Sequence, residues 1–168
     1  MSNRELDHYL VDGSRDFAMF PGGLLDFVPA PIPIRLQRGN RSWGCEHIAA
    51  KHAPWLSLHK VDAPAMVFKK LQGTGRIYTS EEDDKLKIAL RIAPSAVVIL
   101  RFIKSEAAYF RVVTCYALQR IVDGTEVGRY QGIANLKGGP VPAFTIEDPP
   151  PATIVTVRHA RRRQLRVE

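Results

Sequence analysis

The sequence predicts an α+β domain in which short N-terminal helices pack on a central antiparallel sheet. Three observations favour this class. Helical signals lie in the first half of the chain, and the second half is rich in Val, Ile, Phe and Tyr runs separated by turn residues. The length of 168 residues suits one domain with a proper core and is short for two.

Two segments carry the helical signals. In "GNRSWGCEHIAAKHAP", Ser42 is a candidate N-cap and the residue before Pro54 is disfavoured in a helix, so we expect a helix over 43–52. In "DAPAMVFKKLQG", Asp62 is a cap candidate and Gly73 ends the segment, which predicts a second short helix. Both helices precede the main strand region.

Strand signals dominate the second half. The apolar runs "SAVVILRFIK" and "AAYFRVVTCYAL" are separated by the polar "SEA", which predicts a β-hairpin. "GRIYTS" is typical of a short strand or turn, and "EEDDKLKIALRIA" is compatible with a helix or a strand. "RIVDGTEVGRYQG" predicts another hairpin around Asp123-Gly124.

Composition divides the chain into three segments. Residues 1–30 have many turn residues and are expected to form an irregular arm. Residues 31–135 are the expected principal domain, which begins with "PIPIRLQRG", whose prolines confine it to an edge strand or a strand start. Residues 136–168 contain the proline-rich "EDPPPA", a possible extra strand in "TIVTVRHA", and a basic tail.

The formal net charge of +7 favours an anionic partner, nucleic acid first and an acidic protein second. The excess is concentrated in the last eleven residues, which hold one glutamate and five arginines: Arg158, Arg161, Arg162, Arg163 and Arg166. We expect this tail to contact nucleic-acid phosphates, and a solvated flexible end is an equally compatible interpretation.

The chain is expected to act in a cytosol. Two cysteines cannot make a disulfide framework, and the N-terminus lacks the charged-then-apolar layout of a signal peptide. The most apolar stretch, residues 88–103, is interrupted by Arg91, Pro94 and Arg101, so no membrane span is expected.

The segment "GCEHIAAKH" concentrates reactive side chains. A helical zinc pair needs histidines four apart, whereas His47 and His52 are five apart and about 140° around a helix. No metal and no cofactor are therefore expected. On a helix, His47 and Lys51 share one face, and an apolar stripe is expected to pack inward: Cys45, Ile48, Ala49 and His52. A structural role for both histidines, bonded to backbone or near the helix end, stays open.

The segment "IRLQRGNRSWGCEHIAAKH" resembles the opening motif of the barnase–EndoU–colicin–RelE type ribonucleases found in phage proteins and bacterial polymorphic toxins. The matching positions are Gly39, Gly44, the His47-Ile48 step and His52. "FRVVTCYAL" is similar to the late strand of these proteins, with Thr114 and Tyr116 two apart. The two motifs bracket roughly residues 32–117.

The resemblance implies a metal-independent endoribonuclease that leaves a 2′,3′-cyclic phosphate, with RNA as substrate and an acidic immunity or antitoxin protein as partner. It also implies that residues 31–135 are a catalytic domain with the fold of these ribonucleases. Such cleavage needs a base, an acid and a group that stabilises the transition-state charge. His47 is the first candidate for base or acid, with Lys51 as a cation on its face and His52 as the second candidate.

The late strand supplies the remaining candidates. Strict alternation places Thr114 and Tyr116 on one face, within reach of His47, and places Arg111 on the other face with Cys115. Arg101 interrupts an apolar run, where a charge is costly unless it faces a site, and its face depends on the hairpin register. The open alternatives are a merely solvated strand face and, for the whole chain, a non-catalytic RNA-binding or toxin-associated adaptor.

Overall fold

The apolar runs of the second half form the centre of a seven-stranded sheet. The computed structural model describes residues 3–118, 122–132 and 142–147. After a 3₁₀ turn at Arg4–Leu6, the strands are β1 Tyr9–Val11, β2 Ala18–Phe20, β3 Ile32–Arg35, β4 Thr74–Glu82, β5 Lys85–Ile92, β6 Ala96–Ile103, β7 Tyr109–Ala117, β8 Thr125–Gln131 and β9 Phe144–Ile146. The helices are α1 Gly44–Lys51, α2 Ala53–His59 and α3 Ala63–Leu71.

The sheet order is β2-β3-β7-β6-β5-β4-β8, and β1 pairs separately with β9. All pairs are antiparallel except β3 with β7. Pro33 lies at the start of β3, before the two residues that pair with β7, so the missing N–H is tolerated there. The protein is thus a single α+β domain with a mostly antiparallel sheet, as the sequence predicts at this level.

Two of the hairpins bear on the sequence predictions: β6 with β7, and β4 with β5. β6 and β7 pair as the sequence predicts. The ambiguous "EEDDKLKIALRIA" is the end of β4, a turn and β5: Asp83 and Asp84 both have positive φ, 52° and 58°, as a tight two-residue hairpin turn requires. The acidic run is therefore a turn at a hairpin tip.

Of the hairpin predicted around Asp123-Gly124, the second half is the strand β8, and most of the first half, residues 119–121, lies outside the described residues. Strand β8 pairs with β4, so the segment adds an edge strand to the main sheet. Gly124 has φ 116° and its backbone passes so close to the Thr79 carbonyl that a Cβ would collide with it. Gly124 is therefore needed for the close approach of its loop to β4. In the sequence, an Asp-Gly pair used in this way looks the same as an Asp-Gly pair in a hairpin turn.

The helices agree with the sequence in part. Asp62 caps α3, its Oδ1 accepting from the Ala65 N–H at 3.0 Å. The predicted first helix is divided: α1 ends at Lys51, and α2 follows with Pro54 in its first turn. Proline suits that position because its N–H would have no helical partner there. The prediction treated Pro54 as the end of helical structure, and it begins a new helix instead.

The terminal segments also contribute strands. Residues 1–30, expected to be irregular, contain β1 and β2, and β9 lies in the segment expected to be a linker. Antiparallel pairing of β1 with β9 joins the two segments, and Arg15 forms a bidentate ion pair with Glu147, at 2.5 and 2.6 Å. The predicted strand "TIVTVRHA" and the arginine tail lie outside the described residues.

The two sides of the sheet differ. One side, the core face, joins the buried residues of the three helices in a single hydrophobic cluster, to which the central strands contribute Ile77, Ile88, Leu90, Ile92, Val98, Leu100, Phe110, Val112 and Cys115. The other side, the cleft face, has a smaller cluster around Ala89, Val97 and Ile99. None of the described helices, of seven to nine residues, is long enough to cross a membrane.

A β-bulge in β7 sets which side chains reach the cleft face. Ile99 pairs with Thr114, and the next residue of β6, Leu100, pairs with Val112, so Val113 has no partner. The extra residue reverses the alternation of β7. Arg111 therefore lies on the same face as Thr114 and Tyr116, and the predicted separation of Arg111 from these residues is wrong.

Candidate active site

Two glycines place the start of α1 beside the end of β3. Gly39 and Gly44 have φ of 66° and 78°, and a Cβ on Gly44 would lie 2.9 Å from the Gly39 Cα. The N–H groups of Cys45 and Glu46 donate to the carbonyls of Gln37 and Arg38, at 3.0 and 2.9 Å. These bonds satisfy the helix N-terminus without a side-chain cap, so Ser42 is not the N-cap.

His52 is the residue at which α1 ends and α2 begins. Its φ and ψ of −114° and 23° are not helical, and its N–H donates to the Ile48 carbonyl at 3.0 Å. The angular separation expected from a continuous helix therefore does not apply to His52. Cys45 and Ile48 are buried as expected, whereas Ala49 is exposed, so the predicted inward stripe is corrected at that position.

The break in the helix directs the His52 ring to strand β7. Its Nε2 lies 3.4 Å from the Thr114 Oγ1, at the long end of hydrogen-bonding distance. The ring stacks on Tyr116 with 5.7 Å between centroids and 28° between planes. The centre of the His47 ring lies 6.1 Å from that of the His52 ring, and the two rings are nearly perpendicular. The structure thus brings four of the predicted site residues together, with His52 in contact with Thr114 and Tyr116 and next to His47.

The surroundings of the two histidines differ. The His47 Nδ1 lies 2.7 Å from the Arg41 carbonyl, to which only a protonated Nδ1 can donate, so Nε2 is the nitrogen free for other partners. Burial, together with the neighbouring His47 and Lys51, lowers the pKa of His52 from its usual 6.5. His52 is therefore mainly neutral at pH 7, as a proton acceptor must be.

Two arginines, Arg101 and Arg111, share the cleft face with Thr114 and Tyr116. Arg101 pairs across the strands with Arg111, which places it on the face of Thr114 and answers the question of register. The Arg111 guanidinium lies 4.1 Å from the centre of the Trp43 ring, and its Nε donates to the Gln37 Oε1 at 2.7 Å. Neither arginine has an ion-pair partner among residues 3–118, 122–132 and 142–147.

Like charges directly opposite each other on neighbouring strands are destabilising without a counter-charge. An arginine pair that has no carboxylate partner in the described chain is therefore suited to an anionic ligand. Sequence reasoning missed Arg111 and Trp43 because the bulge leaves no glycine or proline signal in "RVVTCY".

A cleft of about 470 Å³ opens beside His52 on the same face. It is lined by His52, Trp55, Lys87, Ala89, Ile99, Tyr116, Ala117, Leu118, Val122 and Asp123. His47 and Lys51 are not among these residues, and Lys51 is exposed one helical turn after His47. Trp55 belongs to α2, the helix that the sequence interpretation missed.

The other reactive groups do not join this site. Cys45 is buried, and burial raises the pKa of its thiol to about 11, so it is not a thiolate at neutral pH. No three His, Cys, Asp or Glu side chains in the described part of the chain are grouped so that they could hold a metal ion. Arg158, Arg161, Arg162 and Arg163 lie outside the described residues.

Neither a protein-family model, nor a curated protein, nor a solved structure matches this chain.

Proposed function

We propose that the protein is a metal-independent endoribonuclease of the barnase–EndoU–colicin–RelE type, which cleaves RNA by attack of a ribose 2′-hydroxyl on the adjacent phosphorus. The observation that carries the proposal is the placement of His52, stacked on Tyr116, 3.4 Å from Thr114 and next to His47. Two imidazoles beside a hydroxyl and a phenol are the groups that this reaction needs.

In the proposed reaction, the neutral His52 Nε2 accepts the proton of the 2′-hydroxyl. The 2′-oxygen then bonds to phosphorus, and the bond to the 5′-oxygen breaks. His47, in its imidazolium form, donates its Nε2 proton to that oxygen, since its Nδ1 is held by the Arg41 carbonyl. The products are a 2′,3′-cyclic phosphate and a 5′-hydroxyl end. The ring centres are 6.1 Å apart, close enough for both imidazoles to contact one phosphodiester group.

The negative charge of the transition state needs donors and cations. Thr114 and Tyr116 offer hydroxyl groups on the strand side, and Lys51 offers a cation on the helix side. Arg101 and Arg111 extend the positive charge along the cleft face, where they are suited to the next phosphates of the RNA chain.

The test is incubation of the purified protein with total RNA in excess chelator, followed by analysis of the RNA ends. We expect discrete fragments with 2′,3′-cyclic phosphate ends. His52→Ala and His47→Ala should each lower the rate by roughly 10²–10⁴-fold, the usual contribution of one general acid or base. The matched control is His59→Ala, because His59 is exposed at the end of α2 and does not line the cleft.

Circular dichroism and thermal melting of each variant separate loss of chemistry from loss of fold. RNA binding without cleavage would contradict the enzyme and support the RNA-binding adaptor. The adaptor is favoured by the two arginines of the cleft face, which have no ion-pair partner in the part of the chain that the structure describes. Cleavage that disappears in chelator would contradict the metal-independent mechanism.

A cytosolic ribonuclease of this kind needs an inhibitor in the cell that makes it. We propose an acidic immunity or antitoxin protein that covers the cleft face, where Arg101 is exposed, together with the exposed Lys51 at the end of α1. Complementary charges should accelerate its association, and added salt should slow it. An inhibitor that binds elsewhere and leaves RNA cleavage intact would contradict this assignment.

A further inference from the structure

We infer that the cleft between Trp55 and Tyr116 is a subsite for one nucleobase, and that it prefers a base with an exocyclic amino group to uracil. The inference rests on the proposed ribonuclease function and specifies which part of the RNA the protein reads.

The lining of the cleft suits a flat, partly apolar ring. Ala89 and Ile99 are buried cross-strand neighbours in the sheet at its base, and both Trp55 and Tyr116 are half-buried. A volume of about 470 Å³ exceeds that of one base and leaves room for part of its sugar. Aromatic side chains stack on bases in single-stranded nucleic acids, which contributes roughly 1–3 kcal/mol per base.

The position of the cleft defines which base it holds. His52 and Tyr116 belong both to the reactive group and to the lining of the cleft. A nucleotide whose 2′-hydroxyl lies at the His52 Nε2 therefore has its base next to the cleft entrance. The occupant is the base of the nucleotide that supplies the attacking hydroxyl.

The preference among bases comes from the charged groups of the cleft. The Asp123 carboxylate lines it and has no ion-pair partner in residues 3–118, 122–132 or 142–147. The Lys87 ammonium, the other charged group, lies 3.2 Å from Glu82 and is thus partly neutralised. An ionised carboxylate accepts from the N4 amino group of cytosine, whereas uracil has a carbonyl oxygen at that position.

Binding of 3′-nucleotides tests this inference without requiring turnover. The protein has two tryptophans, so Trp43→Phe leaves Trp55 as the sole tryptophan reporter. We expect cytidine 3′-monophosphate to quench Trp55 fluorescence and to bind roughly 10-fold more tightly than uridine 3′-monophosphate, the size of one charge-assisted hydrogen bond. Ribose 3-phosphate, which lacks a base, should leave the fluorescence unchanged.

Asp123→Ala should reduce the preference for cytidine to about twofold or less while both nucleotides still quench Trp55. This variant is suitable because Asp123 is exposed and no core contact is removed. Equal affinity of the two nucleotides for the unmutated cleft, an undiminished preference in Asp123→Ala, or quenching by ribose 3-phosphate would overturn the inference.

The two proposals fail differently. Selective nucleotide binding in the cleft without any RNA cleavage would contradict the enzyme and support the base subsite. Cleavage that shows no change in its preference for cytidine over uridine when Asp123 is replaced would support the enzyme and overturn the base subsite.

Discussion

The two faces of β6 and β7 carry alternate residues of the same strands and differ in what those residues do. On the core face, Leu100, Val112 and Cys115 are at most 1% exposed. On the cleft face, Thr114 and Tyr116 are half-buried, and Arg101 is exposed. One face removes apolar area from water, and the other keeps polar groups accessible to a ligand.

The difference shows how a small sheet separates stability from chemistry. The core face stabilises the fold through apolar burial, which contributes roughly 25 cal/mol per Å². The cleft face uses contacts that are weak in the free protein, such as the 3.4 Å approach of His52 to Thr114. Substitutions on the two faces should therefore affect different measurements.

The largest effect on stability is expected on the core face. Leu100→Ala should lower the free energy of unfolding by about 2–5 kcal/mol, because it leaves a cavity in a fully buried site. Urea denaturation measures the change. The matched control is Arg101→Ala, the next residue but on the cleft face, which should change stability by no more than about 0.5 kcal/mol. Comparable losses for both would contradict the division between faces.

His8 should make stability depend on pH. Burial, and then the charge of Arg15, lowers its pKa from 6.5 to about 4, so the folded protein holds it neutral where the unfolded chain protonates it. Its contribution is complete above pH 6.5 and is lost as the pH falls towards 4. Between pH 6.5 and pH 4, protonation of His8 should lower the free energy of unfolding by at most about 3 kcal/mol.

The measurement for His8 compares urea midpoints at pH 7 and pH 4.5 in the unmutated protein and in His8→Gln. The variant should lose less stability on acidification, since carboxylates titrate in both proteins and their contribution cancels in the difference. An identical loss in both would show that His8 is not the titrating group.

The arginines of the cleft face should act on affinity for RNA rather than on stability. Arg101→Ala should weaken binding and reduce the slope of log affinity against log salt by about 0.7, the contribution of one phosphate contact on a single strand. The control is Arg76→Ala, because Arg76 already forms an ion pair of 2.7 Å with Glu126. Equal slopes in both variants would remove Arg101 from the RNA path.

The smallest effect concerns the pH profile of cleavage. Because burial, His47 and Lys51 lower the pKa of His52, its base form persists below pH 6.5, and the acid limb of kcat/KM should lie below that value. Lys51→Gln removes one of these cations and should move the limb upwards. A limb at or above pH 6.5 in the unmutated protein would contradict the assignment of His52 as the base.

Elements with local signals could be predicted from the sequence. The α3 helix has its cap at Asp62, its proline in the first turn and its apolar residues at helical spacing, and the structure agrees. The hairpin of β6 and β7 depends on β-branched and aromatic runs, which are also local. The division between α1 and α2 could not be predicted in this way, because proline ends one helix and begins another with equal ease.

The candidate site was predictable as a set of residues but not as an arrangement. The residues His47, His52, Thr114 and Tyr116 follow from the motifs, and the structure gathers them. His52 is the histidine that contacts Thr114 and Tyr116 of the strand. The spacing of a continuous helix predicts instead that His52 points away from His47. Its ring direction depends on a non-helical residue between two helices, and no residue type in the segment signals that conformation.

By itself the sequence determined the fold class, the hairpin of β6 and β7 and the α3 helix, and it supplied the candidate site residues, because these depend on short-range propensity and on chemistry that residue types carry. Only the tertiary structure decided which face Arg101 and Arg111 share, that His52 stacks on Tyr116, and that Trp55 and Asp123 line one cleft. The physical reason is that a bulge of one residue and a helix break of one residue each redirect every side chain beyond them. Both involve contacts between residues far apart in the sequence: Ile99 pairs with Thr114 at the bulge, and the His52 ring at the break contacts Thr114 and Tyr116 of β7.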